Sequence, residues 1–109
     1  MATLEDFQKL DIRVGKIIDI KDAETRKPMY VLKIDFGELG IKQAIAGIKP
    51  FYSKENLLNK KFAFVVNLEP KKIANILSEC MILAATCNDK EKVVILQPEK
   101  DIEIGSKVS

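Results

Sequence analysis

The sequence contains no histidine, no tryptophan and only two cysteines among its 109 residues. Without histidine, the chain cannot form a Ser-His or Cys-His nucleophilic pair, and it lacks the side chain that most often transfers protons near neutral pH. Cys80 and Cys87 lack a Cys-x-x-Cys spacing and are too few for a tetrahedral zinc site. No glycine-rich phosphate loop or paired-acid site is recognisable. We therefore expect no enzyme, no metal and no cofactor.

Long apolar runs are also absent. Even the longest runs, such as Met81 to Ala85, are far shorter than the roughly 18 residues that a membrane-spanning helix needs. The first residues show no basic segment before an apolar block, so we expect no export signal, no membrane insertion and a cytoplasmic location with reduced thiols. Hydrophobic residues make up 47% and charged residues 31% of the chain. This balance predicts one globular domain spanning residues 1–109.

Charge is unevenly distributed along the chain. The formal net charge is only +2, but residues 42–78 contain seven basic and two acidic side chains, a local net charge of +5. The flanking thirds carry net charges of −1 and −2. A local excess of this kind suits a polyanionic partner, although a solvated lysine surface would give the same count.

Apolar periodicity predicts an all-β protein with short helices. Alternating residues, turn signals at Gly37, Gly40 and Gly47, and one near-continuous apolar run predict five barrel strands, at residues 11–22, 30–36, 41–46, 62–66 and 81–86. The last of these is the apolar run. Gly15 is a candidate for a bulge in the first strand. Residues 93–96 and 102–108 predict additional C-terminal pairing.

Two short helices complete the predicted architecture. Thr3 and Asp6 can cap an N-terminal helix, which we expect to pack against the sheet. Ser53 can cap a second helix between the third and fourth strands. Five strands in this arrangement predict an OB-fold barrel with a short N-terminal helix and a C-terminal strand extension. The open face of such barrels commonly binds oligonucleotides.

The segment after the fourth strand contains the strongest candidates for a ligand site. Pro70 restricts the backbone and predicts an extended loop that exposes Lys71 and Lys72, whose ammonium groups suit phosphate oxygens. Lys33 points outward from the second strand, and we expect it on the same face of the barrel. Each of these lysines could instead be a solvated surface residue.

Three further side chains in this region can contact a ligand. Asn67 and Ser78 can both donate and accept hydrogen bonds, which suits base edges, but they can equally satisfy loop backbone groups. Met81 begins the fifth strand, where its thioether could contact an unpaired base, contact an apolar peptide side chain, or fill the core.

The same segment resembles the tRNA-binding domain family, an OB-fold group that is attached to some aminoacyl-tRNA synthetases and also occurs alone. Residues 7–17 and 46–48 extend the resemblance. The family motif is matched at Asn67, Pro70, Lys72, Ser78 and Met81. It is not matched at Lys71, where the family has arginine, or at Asn75 and Cys80, where it has glycine. Because lysine lacks the bidentate geometry of arginine, we expect weakened tRNA affinity.

Within this family, residues 6–13, 34–37, 40–43, 65–67, 73–74, 78–79 and 93–98 are most similar to export-related chaperones of the CsaA type. That resemblance implies a cytoplasmic homodimer that binds unfolded preproteins or peptides. It also implies a dimer interface built from the terminal segments. Six apolar residues in these segments are suitably spaced to form it: Leu4, Phe7, Val93, Ile95, Ile102 and Ile104.

Two further functions remain open alongside the chaperone. Lysine clustering favours a tRNA-binding protein, whereas overall similarity favours the chaperone. An accessory subunit that docks on an aminoacyl-tRNA synthetase is the third interpretation. The partners implied are therefore tRNA or unfolded preproteins, together with a synthetase or the export machinery.

Overall fold

The computed structural model describes all residues from 1 to 109 and contains mainly short strands. Two α-helices, α1 (Leu4–Gln8) and α2 (Lys54–Leu57), and a 3-10 segment (Gly37–Leu39) connect them. The strands are β1 (Ile12–Asp22), β2 (Tyr30–Asp35), β3 (Ile41–Ala46), β4 (Lys61–Val65), β5 (Lys71–Ile73), β6 (Ile76–Ser78), β7 (Met81–Ile82), β8 (Ala84–Thr86), β9 (Val93–Ile95) and β10 (Lys107–Val108). None of the helices is long and apolar enough to cross a membrane.

The main sheet is antiparallel and has the order β3-β2-β1-β4-β7, with β10 added to β1. It curls into a nearly closed barrel of five strands, and α2 lies between β3 and β4 in the chain. Ser53 caps α2 by accepting a hydrogen bond from the Asn56 N–H at 3.3 Å. The predicted OB-fold barrel, with its short N-terminal helix and C-terminal strand extension, is confirmed.

The barrel core follows from the alternation in β2. Leu32, Ile34 and the following Phe36 are fully buried, whereas Lys33 between them is exposed. The Phe36 ring packs edge-on against the Phe64 ring of β4, with centroids 5.4 Å apart. Aromatic pairs favour this edge-to-face arrangement. The inward and outward faces of β2 are therefore those that the sequence predicts.

Gly15 has a different role from the predicted bulge. The irregularity in β1 lies between Ile17 and Asp19, and Gly15 pairs regularly with Phe62. A Cβ atom at position 15 would lie 2.4 Å from Ile34 Cγ2 and 2.5 Å from Phe36 Cε1. Glycine is needed here because core side chains occupy the space that any larger residue would fill.

Helix α1 forms as predicted but does not pack against the sheet. Thr3 and Asp6 make the reciprocal hydrogen bonds of a capping box. No residue of the helix is buried, and Leu4 and Phe7 are 71% and 41% exposed. The predicted packing of this helix is therefore wrong, and its apolar stripe faces outward.

The predicted fifth strand is interrupted at Leu83. The Leu83 N–H donates to the Ala63 carbonyl at 3.0 Å, whereas its own carbonyl accepts from the Leu96 N–H at 2.9 Å. Leu83 therefore bridges two different neighbours, so that β7 pairs with β4 and β8 pairs with β9.

Strand β9 exposes different residues from those predicted. Ile95 is buried in the core and Val93 is half-buried, whereas Val94 and Leu96 are exposed. The apolar surface of this strand is thus one residue out of phase with the prediction, and Ile95 is not available to an interface. Further along the chain, Ile102 is exposed, Ile104 is half-buried, and only Lys107–Val108 forms a strand.

A C-terminal clasp joins residues 105–108 to the beginning of β1. Ile12 and Arg13 pair with Val108 and Lys107. The Val14 N–H donates to the Ser106 carbonyl at 2.9 Å, and the Val14 carbonyl accepts from the Gly105 N–H at 2.7 Å. The Arg13 guanidinium also donates to the Gly105 carbonyl at 3.2 Å. The clasp therefore completes one edge of the strand.

Candidate nucleic-acid interface

The segment after β4 folds into a β-hairpin rather than the predicted extended loop. Strands β5 and β6 pair antiparallel, with Ile73 opposite Ile76. The two connecting residues, Ala74 and Asn75, have φ angles of 52° and 65°. Positive φ at both positions is the requirement of a two-residue type I′ turn. Asparagine tolerates this conformation well, so the turn forms although the family's glycine is absent.

Side chains attach the hairpin to the edge of β3. The Gln43 side-chain amide donates to the Leu77 carbonyl at 3.1 Å, and the Ile45 N–H donates to Ser78 Oγ at 3.2 Å. Glu79 accepts from the Gln43 N–H at 3.0 Å through Oε1, and its own N–H donates to the Gln43 carbonyl at 2.7 Å. These bonds satisfy the edge of β3 and extend its outer surface to the hairpin.

One cross-strand row links Lys33 to the hairpin. Lys33 lies opposite Gln43, which bonds to Leu77, and Leu77 lies opposite Lys72. Lys33 and Leu77 also line one groove. We call the surface formed by β2, β3 and the β5–β6 hairpin the hairpin face.

The lysines of residues 42–78 divide into paired and unpaired groups. Lys49 and Lys54 both contact Asp22, at 3.0 and 3.1 Å, and hydrogen bonds from these two ammonium groups lower the pKa of Asp22. Lys61 contacts Asp101 at 2.8 Å and likewise lowers its pKa. By contrast, four lysines of this segment make no ion pair within 4.0 Å: Lys42, Lys60, Lys71 and Lys72. Three of these belong to the β3–hairpin region, where the positive charge is not neutralised.

Asn67 and Ser78 both hydrogen-bond to backbone groups. Asn67 Oδ1 accepts from the Asp11 N–H at 2.8 Å, and its Nδ2 donates to the Lys9 carbonyl at 2.7 Å. Ser78 Oγ accepts from Ile45 and donates to the Cys80 carbonyl at 3.4 Å. Of the two roles considered for these residues, satisfying the backbone is the one present in the structure. Asn67 fixes the segment before β1, and Ser78 fixes the hairpin.

Met81 lies at the surface rather than in the core. Its side chain is 48% exposed and borders a hollow of about 290 Å³ between β3, the hairpin and the segment after β4. Ile45, Leu68, Ile73 and Cys80 form most of the remaining apolar lining. The sequence did not predict this hollow, because the residues that form it are brought together only by the hairpin.

The two cysteines differ in their surroundings. Burial, together with the nearby Glu79 carboxylate, raises the pKa of the Cys80 thiol to about 12. Cys87 is exposed in the turn after β8. Because the thiolate is the reactive form, the raised pKa keeps the buried Cys80 thiol protonated and unreactive at pH 8.

We therefore predict that a disulfide exchange reagent titrates one thiol in the native protein at pH 8 and two after unfolding in guanidinium. The variant Cys87→Ser should show no rapid reaction in the native state. Rapid modification of both cysteines in the native protein would contradict the buried position of Cys80.

Comparison with known proteins identifies the chain's relatives. A family model described as "Putative tRNA binding domain" matches residues 12–107. The chain is 45% identical over 104 residues to a methionine–tRNA ligase of Thermococcus onnurineus strain NA1. That alignment covers 95% of this chain and 14% of the ligase, so the chain spans only about a seventh of the length of the curated relatives it matches.

The solved structures that match the whole chain include two CsaA proteins. A CsaA chaperone protein from Picrophilus torridus is 45% identical, with a TM-score of 0.90 and 100% coverage of both chains. Chaperone CsaA from Bacillus anthracis strain Ames is 39% identical, with a TM-score of 0.93 and coverage of 100% and 99%. The resemblance inferred from the sequence, both to the wider family and to CsaA within it, is confirmed.

Proposed function

Because the chain belongs to the tRNA-binding domain family, we propose that it is a non-catalytic module that binds tRNA on its hairpin face. The observation that carries this proposal is the placement of unpaired lysines. Lys33 and Lys72 stand at the two ends of one cross-strand row, whereas Lys71, adjacent to Lys72 on β5, lies on the other side of the hairpin beside Met81. All three side chains are exposed and free of ion pairs.

The chemistry of this face favours recognition of phosphates. Lysine ammonium groups are strongly hydrated point charges that neutralise phosphate oxygens without demanding a fixed geometry. No aromatic residue lies in the hairpin, so stacking of several successive bases is not expected. Binding would therefore depend on the shape and phosphate spacing of a folded RNA.

A CsaA-like homodimeric chaperone for unfolded preproteins is the second candidate. The apolar hollow beside Met81 favours it, because extended polypeptides are recognised by apolar pockets for side chains. The exposed apolar residues Leu4, Phe7 and Ile102 are suited to a twofold interface that would present two copies of the site. A cytoplasmic location and a role in protein export belong to this proposal.

An accessory role toward an aminoacyl-tRNA synthetase is a variant of the tRNA proposal. It is supported by the identity of 45% with part of a methionine–tRNA ligase. Co-purification of a synthetase with the protein would distinguish this role from independent tRNA binding.

The test is a titration of the protein with total tRNA and, separately, with an unfolded preprotein segment, at 50 and 200 mM salt. If three lysines neutralise phosphates, tRNA affinity falls by roughly twenty- to fortyfold between the two salt concentrations. Absence of tRNA binding at 50 mM salt would refute the proposal. Binding of the polypeptide alone, with little response to salt, would establish the chaperone instead.

A further inference from the structure

Gln43 is an uncharged polar residue between the two lysines of the cross-strand row. It lies opposite Lys33 and bonds to Leu77, whose partner across the hairpin is Lys72. Lys33, Gln43 and Leu77 also line one groove of about 300 Å³. The sequence did not single out this glutamine, because its position between two distant lysines arises only when the hairpin attaches to β3.

The side-chain amide of Gln43 has a fixed orientation. Its Nε2 donates to the Leu77 carbonyl at 3.1 Å, and only the NH₂ end of an amide can bond to a carbonyl oxygen. Gln43 Oε1 therefore points away from that carbonyl, and it accepts no hydrogen bond from the protein. Because no buried side-chain oxygen in this structure lacks a partner, Oε1 is open to solvent and accessible to a ligand.

Four carboxylates lie near Gln43, and none lies between the two lysines of the row: Asp19, Asp22, Glu24 and Glu79. Glu79 Oε1 accepts from the Gln43 N–H at 3.0 Å, and Asp22 is paired with two other lysines. Asp19 lies opposite Lys33 on β1 but makes no ion pair with it. The ammonium groups at both ends of the row therefore remain free for phosphates.

We propose that Gln43 Oε1 accepts a hydrogen bond from a ribose 2′-hydroxyl of the bound RNA, between phosphates held by Lys33 and Lys72. The inference rests on the proposed function and adds to it a residue that distinguishes RNA from DNA. A carbonyl oxygen cannot bond to a phosphate oxygen, because both are acceptors, so this position requires a donor from the ligand. The ribose between successive phosphates of RNA supplies a 2′-hydroxyl donor, which DNA lacks.

A polypeptide N–H is also a donor, so charge decides between the two ligands. Free ammonium groups stand on both sides of Gln43 in the row, at Lys33 and Lys72. A polyanionic backbone gains from contact with both of them, whereas an uncharged peptide backbone does not.

The experiment replaces the 2′-hydroxyl with fluorine, which cannot donate a hydrogen bond but preserves the ribose pucker of an A-form helix. It compares one unmodified tRNA transcript with transcripts that carry 2′-fluorine at all pyrimidines or at all purines, each shown to fold by thermal melting. We expect at least one modified tRNA to bind about fivefold more weakly than the unmodified transcript, the loss expected for one hydrogen bond.

The variant Gln43→Met removes the oxygen and keeps the length of the side chain. It should no longer distinguish the unmodified tRNA from the 2′-fluoro tRNA, and its affinity for the unmodified tRNA should fall by at least about fivefold. Loss of the bond to Leu77 alone would weaken binding of both tRNAs equally, so the ratio of the two affinities separates contact from positioning.

Gln97→Met is the matched control. Gln97 is an exposed glutamine in a groove that contains Lys60 and Lys100 but no hairpin residue. This variant should retain the affinity and the discrimination of the unsubstituted protein. Thermal unfolding would establish that both methionine variants remain folded.

Two results would overturn this inference alone, because tRNA still binds in both. If the unsubstituted protein binds unmodified and 2′-fluoro tRNAs equally, it recognises no 2′-hydroxyl. If the difference persists in Gln43→Met, this residue only positions the hairpin. Weaker binding of an unfolded preprotein segment by Gln43→Met, with tRNA binding unchanged, would instead assign Oε1 to a polypeptide N–H. If no tRNA binds at 50 mM salt, the proposed function fails together with this inference.

Discussion

Replacing both Lys71 and Lys72 with alanine should weaken tRNA binding by roughly fifteen- to thirtyfold at 0.15 M salt. Each phosphate that a lysine neutralises contributes about 0.7 to 0.9 to the slope of log affinity against log salt, and the contribution vanishes on extrapolation to 1 M. The double variant should therefore also lose about 1.5 from the magnitude of this slope. Titration over a series of salt concentrations measures both quantities.

The matched control is the double variant Lys60→Ala/Lys100→Ala. It removes the same charge from a groove at the opposite end of β4, where neither lysine makes an ion pair. We expect its affinity for tRNA and its salt slope to remain close to those of the unsubstituted protein. Equal losses in the two double variants would mean that diffuse positive charge, and not the hairpin face, attracts the RNA. Unchanged binding of a polypeptide by both variants, without tRNA binding, would favour the chaperone.

The substitution Gly15→Ala should destabilise the protein by about 3 kcal/mol. The added Cβ would lie 2.4 Å from Ile34 Cγ2 and 2.5 Å from Phe36 Cε1, and both side chains are fully buried. Neither can move away easily, because Ile34 is branched at Cβ and the Phe36 ring packs against Phe64. A urea titration should show the midpoint of unfolding lowered by at least about 1 M.

Gly47→Ala provides the control for this prediction. Gly47 does not have a positive φ, and the nearest atom to an added Cβ is Met29 Cε at 3.9 Å, an ordinary contact. The same chemical change at this position should alter the free energy of unfolding by less than about 1 kcal/mol. If both alanine variants unfold at the same urea concentration, the core around Gly15 is looser than the distances indicate.

Local alternation was sufficient to predict much of the barrel. The pattern of Tyr30, Leu32, Ile34 and Phe36 defines the buried face of β2 because side chains in a strand alternate between faces. Capping by Thr3 and Ser53 was also predictable from local sequence, because a helix cap depends only on residues within one turn. The role of Gly15 was not predictable, because it depends on side chains that approach from another strand.

The candidate site was predicted less completely than the barrel. The sequence identified the exposed lysines and placed Met81 at the start of a strand, but it missed the hairpin that organises them. Strands of three residues are too short to show periodicity, and an Ala74-Asn75 turn lacks the glycine that usually marks a two-residue hairpin. The hydrogen bonds between β3 and the hairpin were also not predictable, because they join side chains and backbone groups that are distant in sequence.

The C-terminal clasp also determines when the barrel can be completed during synthesis. Arg13 and Gly105, which bond to each other, are 92 residues apart in the chain. At typical rates of translation, the edge of β1 remains unpaired for on the order of 5 to 20 s before the C-terminal clasp has been synthesised. An unpaired strand edge can pair with other chains during that interval. The first strand of this protein therefore leaves the ribosome well before the C-terminal residues that pair with its edge.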